Sequence, residues 1–169
     1  MSGKVEGMPS SEMSPLYRTG SGQAYCGAVE AFLASHAADD LRGDTALLFT
    51  SPPFPLVAKK KYGNQTGDEY LEWIVELMSD LVGLLKPDGS LVIEIGNAWV
   101  KGAPVMSTLP LETLIAIQKK TGLHLCQQFI CHNPARLPGP AQWVNVERVR
   151  VKDSFTHVWW FAPTERPKA

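Results

Sequence analysis

Cysteines, long apolar runs and net charge are all scarce in this sequence. Its three cysteines, Cys26, Cys126 and Cys131, are odd in number and form no Cys-x-x-Cys pair, which argues against a disulfide-stapled domain and against a zinc ribbon or finger. No segment is long and apolar enough to cross a bilayer, and the amino terminus has no signal-peptide core. We therefore expect a cytoplasmic protein with reduced cysteines, without a membrane anchor and without a metal site.

Positive and negative charges are balanced over the whole chain. There are 16 lysines and arginines and 17 aspartates and glutamates, for a formal net charge of −1, so the total charge neither indicates nor excludes a nucleic-acid partner. Basic residues do cluster locally, at 59–61 and again at Arg148, Arg150 and Lys152. On charge alone, a solvated surface is the favoured interpretation of both clusters.

The chain is long enough for one domain with a core of its own. Residues 1–14 are small and polar and are expected to be disordered, which leaves residues 15–169 as the folded region. In that region, segments typical of strands alternate with segments of helical periodicity. The alternation predicts an α/β fold with a mostly parallel sheet, helices on both faces and an antiparallel hairpin at one edge. The predicted strands cover 45–49, 90–95, 123–131 and 153–163, the predicted helices cover 66–85 and 110–121, and 23–37 predicts a short strand followed by a helix.

Local signals refine this outline. Thr66 and Glu69 have the spacing of a helix capping box, and Pro87-Asp88-Gly89 predicts the end of that helix and a turn. Gly122 is placed to cap the next helix at its carboxyl end. The run 45–49 is continuously apolar, which predicts a strand covered on both faces.

A rigid corner, Ser51-Pro52-Pro53-Phe54, follows the first of these strands. In open α/β sheets, ligands bind beyond the carboxyl ends of the strands. The two prolines remove two backbone donors, which leaves carbonyl oxygens, a serine hydroxyl and an aromatic ring. Such a set accepts hydrogen bonds and stacks on a flat group, as an amino group on a planar heterocycle requires. The alternative is a simple strand stop in a loop, but the strand before it and the ring after it favour a binding site.

This corner also predicts a type of chemistry. An exocyclic amine of a nucleobase is a poor nucleophile, because its lone pair is delocalised into the ring. The Ser51 hydroxyl and the Pro52 carbonyl could draw the two amine hydrogens out of the base plane, which would localise the lone pair for attack on a methyl group. Catalysis would then depend on positioning and polarisation, after the base has left the helical stack.

The sequence of the corner resembles the catalytic motif of the DNA amino-methyltransferases. TSPPF has the form typical of the cytosine-N4 enzymes, whereas the adenine-N6 relatives typically carry an aspartate in place of the serine. The resemblance to the PvuII-type, beta-group cytosine-N4 enzymes extends over residues 16–168. It is carried by KKKYGN, EYLEWI, LKPDGSLVIEIGNAWVKG, NPARLP, QWVN, RVRVKDSFTHVWWF and TERPK.

The resemblance implies a partial Rossmann-like class I methyltransferase fold. It also implies a site-specific enzyme that methylates cytosine N4 in DNA with S-adenosylmethionine, as part of a restriction–modification system. The residues carried over as catalytic are Ser51, Pro52, Pro53 and Phe54; those near the cofactor are Glu94, Gly96 and Ala28; and those expected to contact DNA are Lys60, Lys61, Tyr62, Asn133, Arg150 and Lys152.

The sequence departs from the family pattern in two places. Ala28 stands where the family usually has an aspartate that contacts the cofactor. The glycine-rich cofactor loop, which in this family order follows the target-recognition region, has no counterpart in these residues. The resemblance is therefore to the catalytic half, as a truncated product, a remnant, or one part of a split enzyme completed by a second polypeptide, and a dimer is a further expectation. A non-catalytic DNA-binding or regulatory remnant and a methyltransferase of another amine substrate stay open as alternatives.

Overall fold

A four-stranded mixed sheet forms the centre of the fold in the computed structural model, which describes residues 13–54 and 66–168. The expected disorder of residues 1–14 concerns a segment that lies almost wholly outside the described residues. A small amino-terminal hairpin precedes the sheet, and the helices follow in alternation with its strands. The strands are β1 (Tyr17–Thr19), β2 (Gly22–Ala24), β3 (Thr45–Thr50), β4 (Leu85–Gly96), β5 (His124–His132) and β6 (Phe155–Ala162), and the helices are α1 (Val29–Leu33), a 3-10 helix (His36–Leu41), α2 (Asp68–Val82), α3 (Leu109–Thr121) and a short π-helical turn (Gln142–Val146).

The strand order of the sheet is β3-β4-β6-β5. β3 pairs with β4 in parallel, with Thr50 opposite Ile93. β6 is antiparallel to both of its neighbours, so His157 lies opposite Ile95 on one side and Ile130 on the other. β3, β4 and β5 therefore run in one direction and β6 in the other, which confirms the predicted α/β class with an antiparallel hairpin at one edge.

The helices cover one face of this sheet. Alternate residues of β4, Leu91, Ile93 and Ile95, are fully buried there, as are Trp159 and Phe161 of β6. They form a single core with the apolar sides of α1, α2 and α3, as the helical spacing of these segments predicts. None of the helices in the described residues has the length and apolar character needed to span a bilayer.

The opposite face of the sheet is open. Leu47 and Phe49 of β3 keep 58% and 64% of their surface exposed, and Phe129 of β5 is also exposed. The expectation of helices on both faces is therefore wrong for the described residues. A continuous apolar run shows that both sides of a strand suit burial, but it does not supply the element that would cover the second side.

The ends of α2 also differ from expectation. The helix begins at Asp68 after Gly67, without a side-chain cap, so the predicted capping box is wrong. It ends at Val82, and residues 87–89 form an irregularity inside β4 instead of a turn outside it. A β-carbon at Gly89 would lie 2.8 Å from the Thr45 carbonyl oxygen, so glycine permits this close approach of the two strands. The predicted C-cap of α3 is confirmed, because Gly122 is left-handed and donates to Gln118 O.

Candidate active site

The Ser-Pro-Pro-Phe corner lies directly beyond β3, at the carboxyl end of the parallel pair. Because the last residue of β3, Thr50, pairs with Ile93, Ser51 and Glu94 are the residues that follow this pair along the two segments. Pro52 is buried, whereas Ser51 is exposed. The buried proline anchors the corner, and the Ser51 hydroxyl stays accessible to a ligand.

The ring of Phe54 lies directly against the backbone of Gly96, at the end of β4. A β-carbon added at Gly96 would lie 2.5 Å from Phe54 Cδ2 and 2.7 Å from Cε2. Glycine is therefore required at position 96 for the half-buried ring to lie where it does. This contact links the corner after β3 to the end of the neighbouring strand.

Glu94 lies on the open side of β4, since its neighbours Ile93 and Ile95 are buried on the other face. Its carboxylate is half-buried, and Oε1 accepts a 2.8 Å hydrogen bond from the Thr156 hydroxyl of β6. That bond orients the carboxylate beside the corner. The role expected of Glu94 at the cofactor stays a prediction, and Gly96, also expected near the cofactor, lies beneath Phe54.

Asn133 lies in a turn directly after β5, and Lys152, in the segment before β6, contacts that turn. The backbone N–H of Asn133 donates to Ser154 O at 2.7 Å, and its side-chain oxygen accepts from Ala135 N at 3.0 Å. The ammonium of Lys152 donates to Pro134 O at 2.6 Å. These contacts give the turn a fixed shape before any partner binds.

Arg150 is turned into the protein, where its Nε and Nη1 are buried without a hydrogen-bond partner among the described residues. Its guanidinium carbon lies 3.0 Å from the centroid of the Trp99 ring, and Nη2 donates to Gly139 O at 3.3 Å. Burial lowers the pKa of this guanidinium, partly offset by the charge of Asp153. The stack joins the segment after β4 to the loop before β6.

Two further groups of predicted residues lie away from this arrangement. Ala28 is exposed and lies directly before α1, with no polar side-chain atom to offer a cofactor. Lys60, Lys61 and Tyr62 lie outside the described residues.

A buried polar network beneath the corner was missed by the sequence analysis. Asn97, directly after Gly96, and His157 of β6 are each 8% exposed. His157 Nε2 lies 3.0 Å from Asn97 Oδ1, and its Nδ1 lies 2.6 Å from Gln128 Nε2. Asn97 Nδ2 donates to Asp153 Oδ1 at 2.9 Å, and Asp153 pairs with Arg136 at 3.4 Å. Burial lowers the pKa of His157, and the charge of Asp153 partly opposes this shift. The signal that the sequence offers is the polar character of Asn97 and His157, at positions where strand alternation predicts buried residues.

The open face of the sheet carries a shallow depression of about 680 Å³. Its floor is apolar, with Leu47, Val92, Phe129 and Trp160, and Lys86, Asp88 and Lys168 stand at its rim. The indole N–H of Trp160 is satisfied by Ser90 Oγ at 2.9 Å. An apolar surface of this kind in the middle of a sheet is typical of an interface.

Comparison with known proteins gives concordant results. A family model described as DNA methylase matches residues 45–169. The type II methyltransferase M.PvuII of Proteus hauseri is 39% identical over 155 residues, which are 92% of this chain and 45% of that protein. The solved structure of a PvuII DNA methyltransferase, cytosine-N4-specific, superimposes with a TM-score of 0.80 at 39% identity and covers 92% of this chain and 54% of its own.

A more distant solved structure has the same fold. It is a putative DNA modification methylase from Thermus thermophilus complexed with S-adenosyl-L-methionine, at a TM-score of 0.52 and 19% identity, covering 79% of this chain and 53% of that one. The chain thus spans about half the length of the relatives that it matches.

Proposed function

Since the chain belongs to the DNA methylase family, we propose that it forms the catalytic part of a site-specific DNA methyltransferase that modifies the N4 amine of cytosine. The observation that carries this proposal is the Ser-Pro-Pro-Phe corner, which lies beyond a parallel strand and beside Glu94. The serine form of the motif favours cytosine N4 over adenine N6. The 39% identity to a cytosine-N4-specific enzyme supports the same choice. A cytoplasmic restriction–modification system is the setting that we propose.

In this mechanism the corner holds and polarises the target amine. The Ser51 hydroxyl and the Pro52 carbonyl accept its two hydrogens and draw them out of the base plane, so that the nitrogen lone pair is no longer shared with the ring. The Phe54 ring stacks on the flipped-out base, and its own position is fixed by Gly96. The rate advantage arises from orientation and from hydrogen bonds that strengthen as the lone pair localises.

S-adenosylmethionine, when bound, supplies the electrophilic methyl group. The described residues fit it only in part. Glu94 offers an oriented, half-buried carboxylate beside the corner, and this acceptor suits a hydroxyl or amine of the cofactor. Ala28 offers no polar side chain, and Phe54 covers the position of Gly96. We therefore place Glu94 as the principal contact that this chain makes to the cofactor.

DNA is the partner that this mechanism requires. We propose that Lys60, Lys61 and Tyr62 contact phosphates near the target base, together with Asn133 and Lys152, and that Arg150 supports the same DNA contact indirectly. Lys152 is exposed and can exchange its bond to Pro134 O for a phosphate. Arg150 acts through the shape of the loop, because its guanidinium is stacked on Trp99.

The open apolar face of the sheet indicates how the enzyme is completed. We propose that it is covered by the part of a methylase that this chain does not match, supplied by a second polypeptide or by further residues of the same one. That part is about half of each relative, enough to bring a second layer of helices to the sheet. Pairing of two copies through the same face is the alternative arrangement.

A methyl-transfer assay tests the proposal. The chain is incubated with duplex DNA and labelled S-adenosylmethionine, alone and together with a polypeptide that supplies the unmatched part of M.PvuII. We expect N4-methylcytosine, identified by mass spectrometry, in the mixture, and none when Ser51→Ala replaces the wild-type chain. DNA binding without methylation in any mixture would support the non-catalytic alternative. Methylation of adenine would contradict the assignment to cytosine.

A further inference from the structure

A continuous chain of side-chain hydrogen bonds runs beneath the corner, across β5, β6, the end of β4 and the turn after β5. We propose that Asn97 and His157 are positioning residues, which hold the Phe54 seat on Gly96 and the Asn133 turn in a fixed relation on the two sides of the target base. The role in placing the target base rests on the proposed function. The positions of the Phe54 ring and the Asn133 turn relative to each other do not depend on it.

For a neutral His157, the donors and acceptors of this hydrogen-bond network can be arranged in only one consistent way. The Asp153 carboxylate only accepts hydrogen bonds, so the amide nitrogen of Asn97 must face it, at 2.9 Å. The Asn97 oxygen then faces His157 Nε2 at 3.0 Å and requires a hydrogen there. A neutral His157 therefore carries its proton on Nε2 and accepts at Nδ1 from Gln128 Nε2, at 2.6 Å. The orientation of the Asn97 amide therefore determines the tautomer of His157, and that tautomer determines the orientation of the Gln128 amide.

At one end, this chain of hydrogen bonds reaches the Gly96 backbone against which the Phe54 ring lies. Asn97 follows Gly96 directly, and the Phe54 ring lies against the Gly96 backbone so closely that a β-carbon there would be 2.5 Å from Cδ2. A shift of the Asn97 side chain moves the backbone on which the ring lies. Asn97 is buried, and its Nδ2 also donates to Phe155 O at 3.5 Å.

At the other end, the chain reaches the Asn133 turn. Arg136 lies in that turn, and its Nη1 binds both Asp153 Oδ2 at 3.4 Å and Phe155 O at 3.2 Å. The turn is also held by the bond from Asn133 N to Ser154 O. The ion pair connects the turn to Asn97 through a carboxylate whose side chain is only 9% exposed. A network that is satisfied at every link is stiff, and one missing member leaves buried groups unpaired.

The first test uses nuclear magnetic resonance on the purified chain. We expect His157 to be in the Nε2–H tautomer and the Phe54 ring to show close contacts with the Gly96 protons. In Asn97→Ala, His157 should populate both neutral tautomers, and the contact between Phe54 and Gly96 should weaken. His124→Gln, at the far end of β5, is the matched control and should change neither. An Nδ1–H tautomer in the wild-type chain, or an unchanged contact in a folded Asn97→Ala chain, would overturn the proposal.

Three further variants keep the test decisive if Asn97→Ala does not fold. Gln128→Ala alters an exposed residue and removes only the bond to His157 Nδ1. This variant should therefore fold, and its His157 should populate both neutral tautomers. His157→Gln can donate to Asn97 from its amide, whereas His157→Phe cannot. The glutamine variant should keep the contact between Phe54 and Gly96, and the phenylalanine variant should lose it. Equal behaviour of these two variants would show that His157 only fills space.

The second test measures single-turnover methyl transfer in the active assembly. At saturating DNA, His157→Phe should lower the rate on the order of tenfold to a hundredfold, as misplacement by about 1 Å does in other enzymes. His157→Gln should recover most of that loss. A wild-type assembly without activity would refute the proposed function but leave the resonance test in force. An active assembly that is indifferent to both variants would refute the positioning role alone.

Discussion

Gly96→Ala is the sharpest perturbation that the structure offers. The added methyl group would lie 2.5 Å from Phe54 Cδ2 and 2.7 Å from Cε2, whereas ordinary contact begins at 3.4 Å. The ring must therefore withdraw by about 1 Å, since Gly96 beneath it is paired with Thr156 of β6. Crowding of this size typically costs about 1–3 kcal/mol of unfolding free energy.

The functional effect should exceed the effect on stability. A ring displaced by about 1 Å no longer stacks squarely on the base, and misplacement of that size costs on the order of a hundredfold in rate. Denaturant unfolding and single-turnover methyl transfer measure the two quantities. Gly20→Ala is the matched control, because a β-carbon there meets nothing within 4 Å, and it should change stability by less than about 0.5 kcal/mol.

A double mutant separates the proposed contact from a general effect of alanine. In a Phe54→Ala background the clash is absent, so Gly96→Ala should then change the unfolding free energy by less than about 0.5 kcal/mol. If Gly96→Ala destabilises the chain equally in both backgrounds, Phe54 is not what makes glycine necessary. If it leaves the wild-type chain unaffected, the close approach of the ring to the strand is refuted.

Three further predictions follow from the site. Ser51→Ala should lower the single-turnover rate and leave the unfolding midpoint unchanged, because Ser51 is exposed and its hydroxyl acts on the amine in the transition state; an unchanged rate would exclude the polarisation mechanism. The free energy of unfolding should fall as the pH drops below 6.5, because burial lowers the pKa of His157 and the unfolded chain takes up that proton first. Urea unfolding should show a smaller fall in the His157→Gln variant. An equal fall in both proteins would mean that other groups cause it. Calorimetry should detect no micromolar binding of S-adenosylmethionine to the 169-residue chain alone, because Glu94 is the principal polar contact that it offers and Ala28 replaces another; tight binding would mean that some other segment encloses the cofactor.

The sequence allowed the corner to be located because local rules determine it. An apolar run followed by two prolines places Ser51 and Phe54 at a strand end, and the parallel register then brings Glu94 beside them. The expectation that helices cover the second face of β3 is wrong for the described residues. An apolar run indicates that both sides of a strand suit burial, but it does not indicate which element covers them. Pro-Asp-Gly is a strong turn signal, but the close approach of Gly89 to Thr45, which keeps residues 87–89 inside β4, depends on a distant strand.

The polar network could not be predicted in the same way. Its central bond joins Asn97 to His157 across 60 residues of chain, and no spacing rule connects such positions. An isolated asparagine after a strand and an isolated histidine within one each have a simple local explanation. Only the antiparallel insertion of β6 beside β4 brings the two side chains together.

The place of β6 in the sheet has a consequence for synthesis of the protein. It is the last strand of the described residues along the chain, yet it lies between β4 and β5. Its contacts with β4 span 60 to 70 residues, and long-range pairing of this kind is slow. Until β6 has been translated, β5 has no neighbour among the described strands and one edge of β4 is unpaired. The nascent chain must therefore be protected from edge-to-edge association until β6 emerges, and only then can Thr156 bind Glu94.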